Sequence, residues 1–110
     1  MGGPYAPESP QITPEELKGK TRTEIRSLAR QKGLLPTRRV DEAGQPRQWK
    51  DPVTERERLR LDRGHVDKKT GQAFDDPNAA VDHAHGYESD GKTKIRNLED
   101  NNPHFPTVGE

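Results

Sequence analysis

The chain has 110 residues, of which 25 % are hydrophobic and 35 % charged, with 19 Lys+Arg against 19 Asp+Glu. So polar a composition, with a mean hydropathy of −1.29, leaves material for one small domain and no large core. No apolar run approaches the roughly 18 residues of a membrane span, and the absence of Cys excludes a disulfide framework or a thiolate metal site.

Residues 1–12, with Gly2, Gly3, Pro4, Pro7 and Pro10, read as a disordered tail or linker. They contain no apolar stretch of the kind a signal peptide needs. A single domain is expected over 13–110. Thr13-Pro14-Glu15-Glu16 has the form of a capping box, with Thr at the N-cap, Pro at the first helical position and Glu at the third. A second box, Thr21-Arg22-Thr23-Glu24, opens a helix over about 22–32, whose apolar stripe is Ile25, Leu28 and Ala29. Gly33 is placed to end it.

Beyond Pro36 the pattern changes to short strands and turns. Strands are expected at 38–40, around Trp49 in 47–50, and at 57–61, where Leu59 and Leu61 alternate with charged residues and face inward. Residues 79–87 follow; if extended, they put His83, His85 and Tyr87 on one face. Ser89-Asp90-Gly91-Lys92 signals a hairpin with a return strand over 93–98. Residues 101–106 read as a Pro-rich loop around His104 and Phe105. The expected fold class is α+β, with one or two N-terminal helices packed on a small curved antiparallel sheet.

Charge is unevenly spread. Residues 14–60 hold 13 Lys/Arg and 8 Asp/Glu, a net of +5, and residues 61–110 hold 6 and 10, a net of −4. A basic half beside an acidic, His-bearing half suits an anionic ligand, although a solvated surface in charge balance has the same composition.

The chemistry-bearing residues are His65, His83, His85 and His104. Gly64 would let the chain turn and bring His65 towards His83 and His85. Two chemistries want such a cluster. In metal-free RNA cleavage, imidazoles act as base and acid on the ribose 2′-OH and the 5′-oxygen, and cations stabilise the phosphorane. Arg63, Arg60, Arg96, Arg38 and Lys94 are placed to supply phosphate contacts, and Arg56, Arg58 and Arg60 alternate as if along one strand face. In a metal site for Zn²⁺ or a non-haem iron, His83, His85 and His65 would be joined by Asp62, Asp67 or Asp82. Structural histidines in an interaction module are the third reading. Trp49 and Tyr87 serve either as packing residues or as base-stacking platforms.

The segments 44–54 (Gly-Gln-Pro-Arg-Gln-Trp-Lys-Asp-Pro-Val-Thr), 58–71 (Arg-Leu-Arg-Leu-Asp-Arg-Gly-His-Val-Asp-Lys-Lys-Thr-Gly), 82–87 (Asp-His-Ala-His-Gly-Tyr) and 103–107 (Pro-His-Phe-Pro-Thr) carry a resemblance. Over roughly residues 20–107 the chain resembles the C-terminal toxin modules of bacterial polymorphic toxins of the Rhs and contact-dependent inhibition types. Within these it is most similar to the barnase/EndoU/colicin/RelE-like ribonucleases. The resemblance implies a metal-independent endoribonuclease that needs no cofactor and acts on tRNA or another RNA. It also implies delivery as the tip of a larger secreted protein into the cytoplasm of a target bacterium, where the domain acts as a monomer. A cognate immunity protein would neutralise it; the excess of positive charge around Arg56–Arg63 makes that strand the surface such a partner, if acidic, is expected to cover. Carried over by position, the site is Arg63, His65, His83 and His85, with His104 and Thr107 at its rim. The zero net charge departs from the basic character common among RNA-cleaving toxins.

Overall fold

The computed structural model describes residues 10–64, 69–71 and 76–109. Both capping boxes form. The Thr13 hydroxyl accepts from Glu16 N while the Glu16 carboxylate accepts from Thr13 N at 2.9 Å, which starts the one-turn helix α1 (Pro14–Leu17). Thr21 and Glu24 repeat the exchange at 3.1 and 2.9 Å and start α2 (Arg22–Gln31). Each box satisfies two backbone N–H groups that a bare helix start leaves unpaired. Gly33, at φ +72°, reverses the chain after α2, and Leu34 N donates to Ala29 O at 3.0 Å to close the end. Ile25, Leu28 and Ala29 are buried, as the stripe requires. No helix among the described residues is long and apolar enough to cross a membrane.

The sheet is a five-stranded antiparallel meander in chain order: β1 (Leu35–Pro36), β2 (Gln48–Lys50), β3 (Glu57–Asp62), β4 (His83–Gly86) and β5 (Phe105–Pro106). With the two helices it makes a small α+β fold whose sheet is not closed. A short 3-10 turn, η1 (Pro77–Ala79), precedes β4 and is capped by Asp76. Opposite pairs on β3 and β4 are Leu59 with Gly86, Arg60 with His85, Leu61 with Ala84, and Asp62 with His83. Alternation therefore sends Leu59, Leu61 and Ala84 to the helix side, where they join Ile12, Leu17, Ile25, Trp49 and Phe105 in one core. It sends Arg60, Asp62, His83 and His85 to the other face. Gly86 has a packing reason: a Cβ there would lie 2.7 Å from Leu17 Cδ1, so the bare glycine lets α1 seat against the sheet.

Several local expectations change. Ile12, grouped with the tail by its sequence neighbours, is buried in the core. The strand expected at 38–40 reduces to one bridge, Val40 with Pro46, because the first edge pairing occurs earlier, at Leu35–Pro36. The return strand expected over 93–98 is one bridge, Tyr87 with Lys94, followed by Ile95 N donating to Gly86 O. Asn97 ends it: its side chain accepts from Glu99 N at 3.0 Å and its carbonyl from Asn101 N at 2.7 Å, which commits the chain to a turn. Within the expected loop 101–106, Phe105 buries its ring and pairs with Ala84, which makes β5. A register shift between Trp49 and Lys50 breaks the alternation expected of Arg56, Arg58 and Arg60.

Candidate functional site

Three imidazoles meet on the open face of the sheet. His83 and His85 point the same way from β4, and the β4–β5 register (His83 with Pro106, Ala84 with Phe105) brings the next residue back, His104, beside His85. Ring centroids are 5.0 Å apart for His83–His85, 4.9 Å for His83–His104 and 4.8 Å for His85–His104. One nitrogen from each ring lies within 4.8 Å of the other two. His83 and His85 are 1 % and 2 % exposed, and the His104 side chain is 23 % exposed, so the cluster meets solvent over His104.

Their partners fix the tautomers. His83 Nδ1 is 2.7 Å from the Val81 carbonyl, an acceptor only, so that nitrogen carries a proton. His104 Nδ1 is 2.9 Å from Asp76 Oδ2 and 3.1 Å from Asn102 Oδ1, and it too donates. Asp76 is itself held by Asn78 N at 2.9 Å and Asn102 Nδ2 at 3.0 Å. His85 differs: its Nδ1 is buried and has no hydrogen-bond partner among the described residues.

The electrostatics are mixed. Asp62 Oδ2 lies 3.7 Å from His83 Nε2 and 3.6 Å from His85 Nε2, beyond hydrogen-bond range, while accepting from Arg60 Nε at 3.0 Å. Burial pushes the His85 pKa down to about 3, with Lys94 and Arg60 adding cationic repulsion, so this ring is neutral at physiological pH. The Tyr87 ring flanks His85 at 6.5 Å and lies 5.7 Å from the Arg60 guanidinium. Burial raises the Tyr87 hydroxyl to about 12, which keeps it protonated.

The other sequence-derived residues separate into groups. Arg60 is on the site face, and Lys94, bridged to Tyr87, stands near enough to act on His85. Arg63 turns to Asp82 at 2.6 Å and to Glu42, and lines a cavity of about 280 Å³ with Arg22, Arg47 and Asp62 rather than joining the imidazoles. Asp82 is likewise committed: it accepts from Arg63 and, at 3.0 Å, from Gly64 N. Arg58 is 2 % exposed and donates to Tyr87 O at 2.9 Å and Pro10 O at 2.6 Å, so it is part of the core rather than a phosphate contact. Arg38 is exposed in the hairpin between β1 and β2, outside the cluster. Arg96 donates to Asn101 O at 2.9 Å, and Thr107 is spent on the Asp82 carbonyl. His65 lies outside the described residues. The basic strand expected at Arg56–Arg63 is therefore not a run of free cations: Arg58 is buried, Arg60 pairs with Asp62, and Arg63 pairs with Asp82.

Asp76 is the site residue that sequence reading passed over. Its only local signal is Asp-Pro-Asn, an N-cap and turn motif, which says nothing of an imidazole arriving from far along the chain. Comparison with protein-family models, with curated proteins and with solved structures found no match.

Proposed function

We propose that the chain is an endoribonuclease toxin domain that cleaves RNA without metal at the His83–His85–His104 cluster. The observation that supports it is the convergence of three imidazoles beside two cations, Arg60 and Lys94, on a face that opens over His104.

In this reading the scissile phosphate sits against Arg60 and Lys94, which offset the charge that builds on its oxygens. An imidazole of the cluster takes the proton from the ribose 2′-OH, the substrate entering over His104, the ring that meets solvent. The freed O2′ forms a bond to phosphorus as the P–O5′ bond breaks. A second imidazole of the cluster delivers a proton to O5′, and the Asp76 carboxylate behind His104 offsets positive charge that develops on that ring. The products are a 2′,3′-cyclic phosphate and a 5′-hydroxyl. His83, donating to the Val81 carbonyl, holds the middle of the cluster.

The toxin context, with delivery by a larger protein into a bacterial cytoplasm and neutralisation by an immunity protein, rests on the resemblance of residues 20–107. An immunity protein that silences this chemistry would have to cover the approach over His104.

The test is incubation of the folded chain with total RNA in EDTA, beside His104→Ala. Discrete cleavage with cyclic-phosphate ends, lost in the variant, is expected. Intact RNA with the wild-type chain, with or without added metal, would reject the reading.

A further inference from the structure

We propose that His83, His85 and His104 form a binding site for a divalent cation of the zinc class, with three imidazole ligands and one position open to solvent.

Three separate features lead there. The first is proximity: one nitrogen of each ring lies within 4.8 Å of the others. Tetrahedral ligands at 2.0–2.1 Å from zinc stand about 3.3 Å apart, so small rotations of the rings about their side-chain bonds close the set. The second is the outer shell. A metal-bound imidazole almost always donates its other N–H to a carbonyl or carboxylate, which sets the tautomer and the ring angle. His83 does so to Val81 O at 2.7 Å and His104 to Asp76 Oδ2 at 2.9 Å. The third is His85 Nδ1, a buried nitrogen with no partner among the described residues. A polar atom left so in a side chain 98 % buried calls for a partner, which an ion or a water at the cluster would supply.

The charge balance admits a cation. Arg60 and Lys94 oppose it, but Asp62, 3.6–3.7 Å from two of the rings, and Asp76 behind the third offset them. Neutral nitrogen donors with no thiolate select zinc, cobalt, nickel or copper over magnesium and calcium, which take oxygen ligands.

On the ribonuclease reading, a bound cation would also act on catalysis. A bound cation occupies the same nitrogen lone pairs that would carry protons, so the loaded protein cannot perform the metal-free cleavage. Zinc would then be an inhibitor of this site, removable by a chelator.

The experiment uses the whole chain, stripped with chelator and dialysed. Binding of Zn²⁺ is followed by equilibrium dialysis, and Co²⁺ serves as a visible probe of coordination. One equivalent is expected. His104→Gln and His85→Gln should each weaken binding by roughly a hundredfold and Asp76→Asn by about tenfold, with far-UV circular dichroism confirming that each variant is folded. Substoichiometric binding, or a folded His104→Gln that binds as the wild type does, would overturn the site. In a second arm, RNA cleavage is compared with one equivalent of Zn²⁺ and with chelator. A loss of at least about tenfold, restored by chelator, is expected once the site is filled. Undiminished cleavage by the zinc-loaded chain would overturn the inhibition. Absence of cleavage under both conditions would count against the ribonuclease reading, while the binding arm alone would decide the cation site.

Discussion

The Asp76 carboxylate lies 2.9 Å from Nδ1 of His104, and so ties the start of a 3-10 turn to the entry of the last strand. One oxygen group thus caps η1 through Asn78 N, accepts from Asn102 and orients an imidazole of the cluster. Asp76→Asn separates these tasks, because Asn also caps turns but carries no charge. RNA cleavage by this variant is expected to fall at least about tenfold with the circular dichroism spectrum unchanged, since the ring loses its anionic partner. An Asp76→Asn chain that cleaves at the wild-type rate would show that His104 acts without it.

Arg58 leads to a different kind of expectation. Its guanidinium is buried, donates to two carbonyls, and lies 4.0 Å from Asp51, whose side chain is 4 % exposed. Removing it leaves Asp51 buried with less compensation and leaves the Tyr87 and Pro10 carbonyls without this donor. Arg58→Ala is expected to cost about 3 kcal/mol in stability by urea denaturation, the range for breaking a buried pair. The RNA affinity of the molecules that remain folded should not change. A selective loss of RNA binding at wild-type stability would instead return Arg58 to the substrate surface.

These two residues mark how far the sequence could be read. What was local was legible. The Thr-x-x-Glu boxes, the Ile25–Leu28–Ala29 stripe, the inward Leu59 and Leu61, and the shared face of His83 and His85 all follow from spacing within one element. What depended on pairing between distant segments was not. A register shift at Trp49–Lys50 takes Arg58 out of the exposed row that strict alternation assigns it. His104 stands next to His85 because Phe105 buries and pairs with Ala84, which a Pro-rich segment does not announce. Asp76 and His104 meet across two turns that lie far apart in the chain.

Asp41, an enclosed and paired carboxylate, should contribute to the acid response. Its side chain is 5 % exposed; Oδ1 accepts from Ala43 N and Gln45 N at 2.9 Å, and Oδ2 is 3.0 Å from Arg26 and 3.6 Å from Arg22. The Gln45 and Ala43 amides, with the two guanidiniums, hold the carboxyl below its ordinary range despite burial. A folded value below the unfolded one means that the contribution is fully present above the unfolded pKa and is lost as pH falls through the folded one. The thermal midpoint should therefore decline between about pH 5 and pH 2. Asp41→Asn should lower Tm at neutral pH and flatten that decline. An Asn variant whose Tm falls as steeply as the wild type would assign the acid sensitivity to other carboxylates.

Gly64 carries the last expectation, and its reason differs from the one its sequence suggests. The residue is not needed for a left-handed turn. A Cβ there would lie 2.1 Å from Ala80 O and 2.9 Å from Val81 Cα, both backbone atoms, which cannot swing aside as a side chain would. The close approach lets Gly64 N donate to Asp82 Oδ1 at 3.0 Å, immediately before His83 begins β4. Gly64→Ala must push the end of β3 away from the 80–82 segment and disturb the carbonyl of Val81, on which His83 depends. A loss of roughly 1–3 kcal/mol in urea denaturation is expected, as for other overpacked sites, together with weaker RNA cleavage by the folded fraction. Gly71→Ala, where no atom of the described residues lies within 4 Å of the added Cβ, is the control for φ strain. Its φ of +72° predicts a smaller stability loss and unchanged cleavage. Equal losses of cleavage in the two variants would show that the contact with Ala80 does not position the imidazoles.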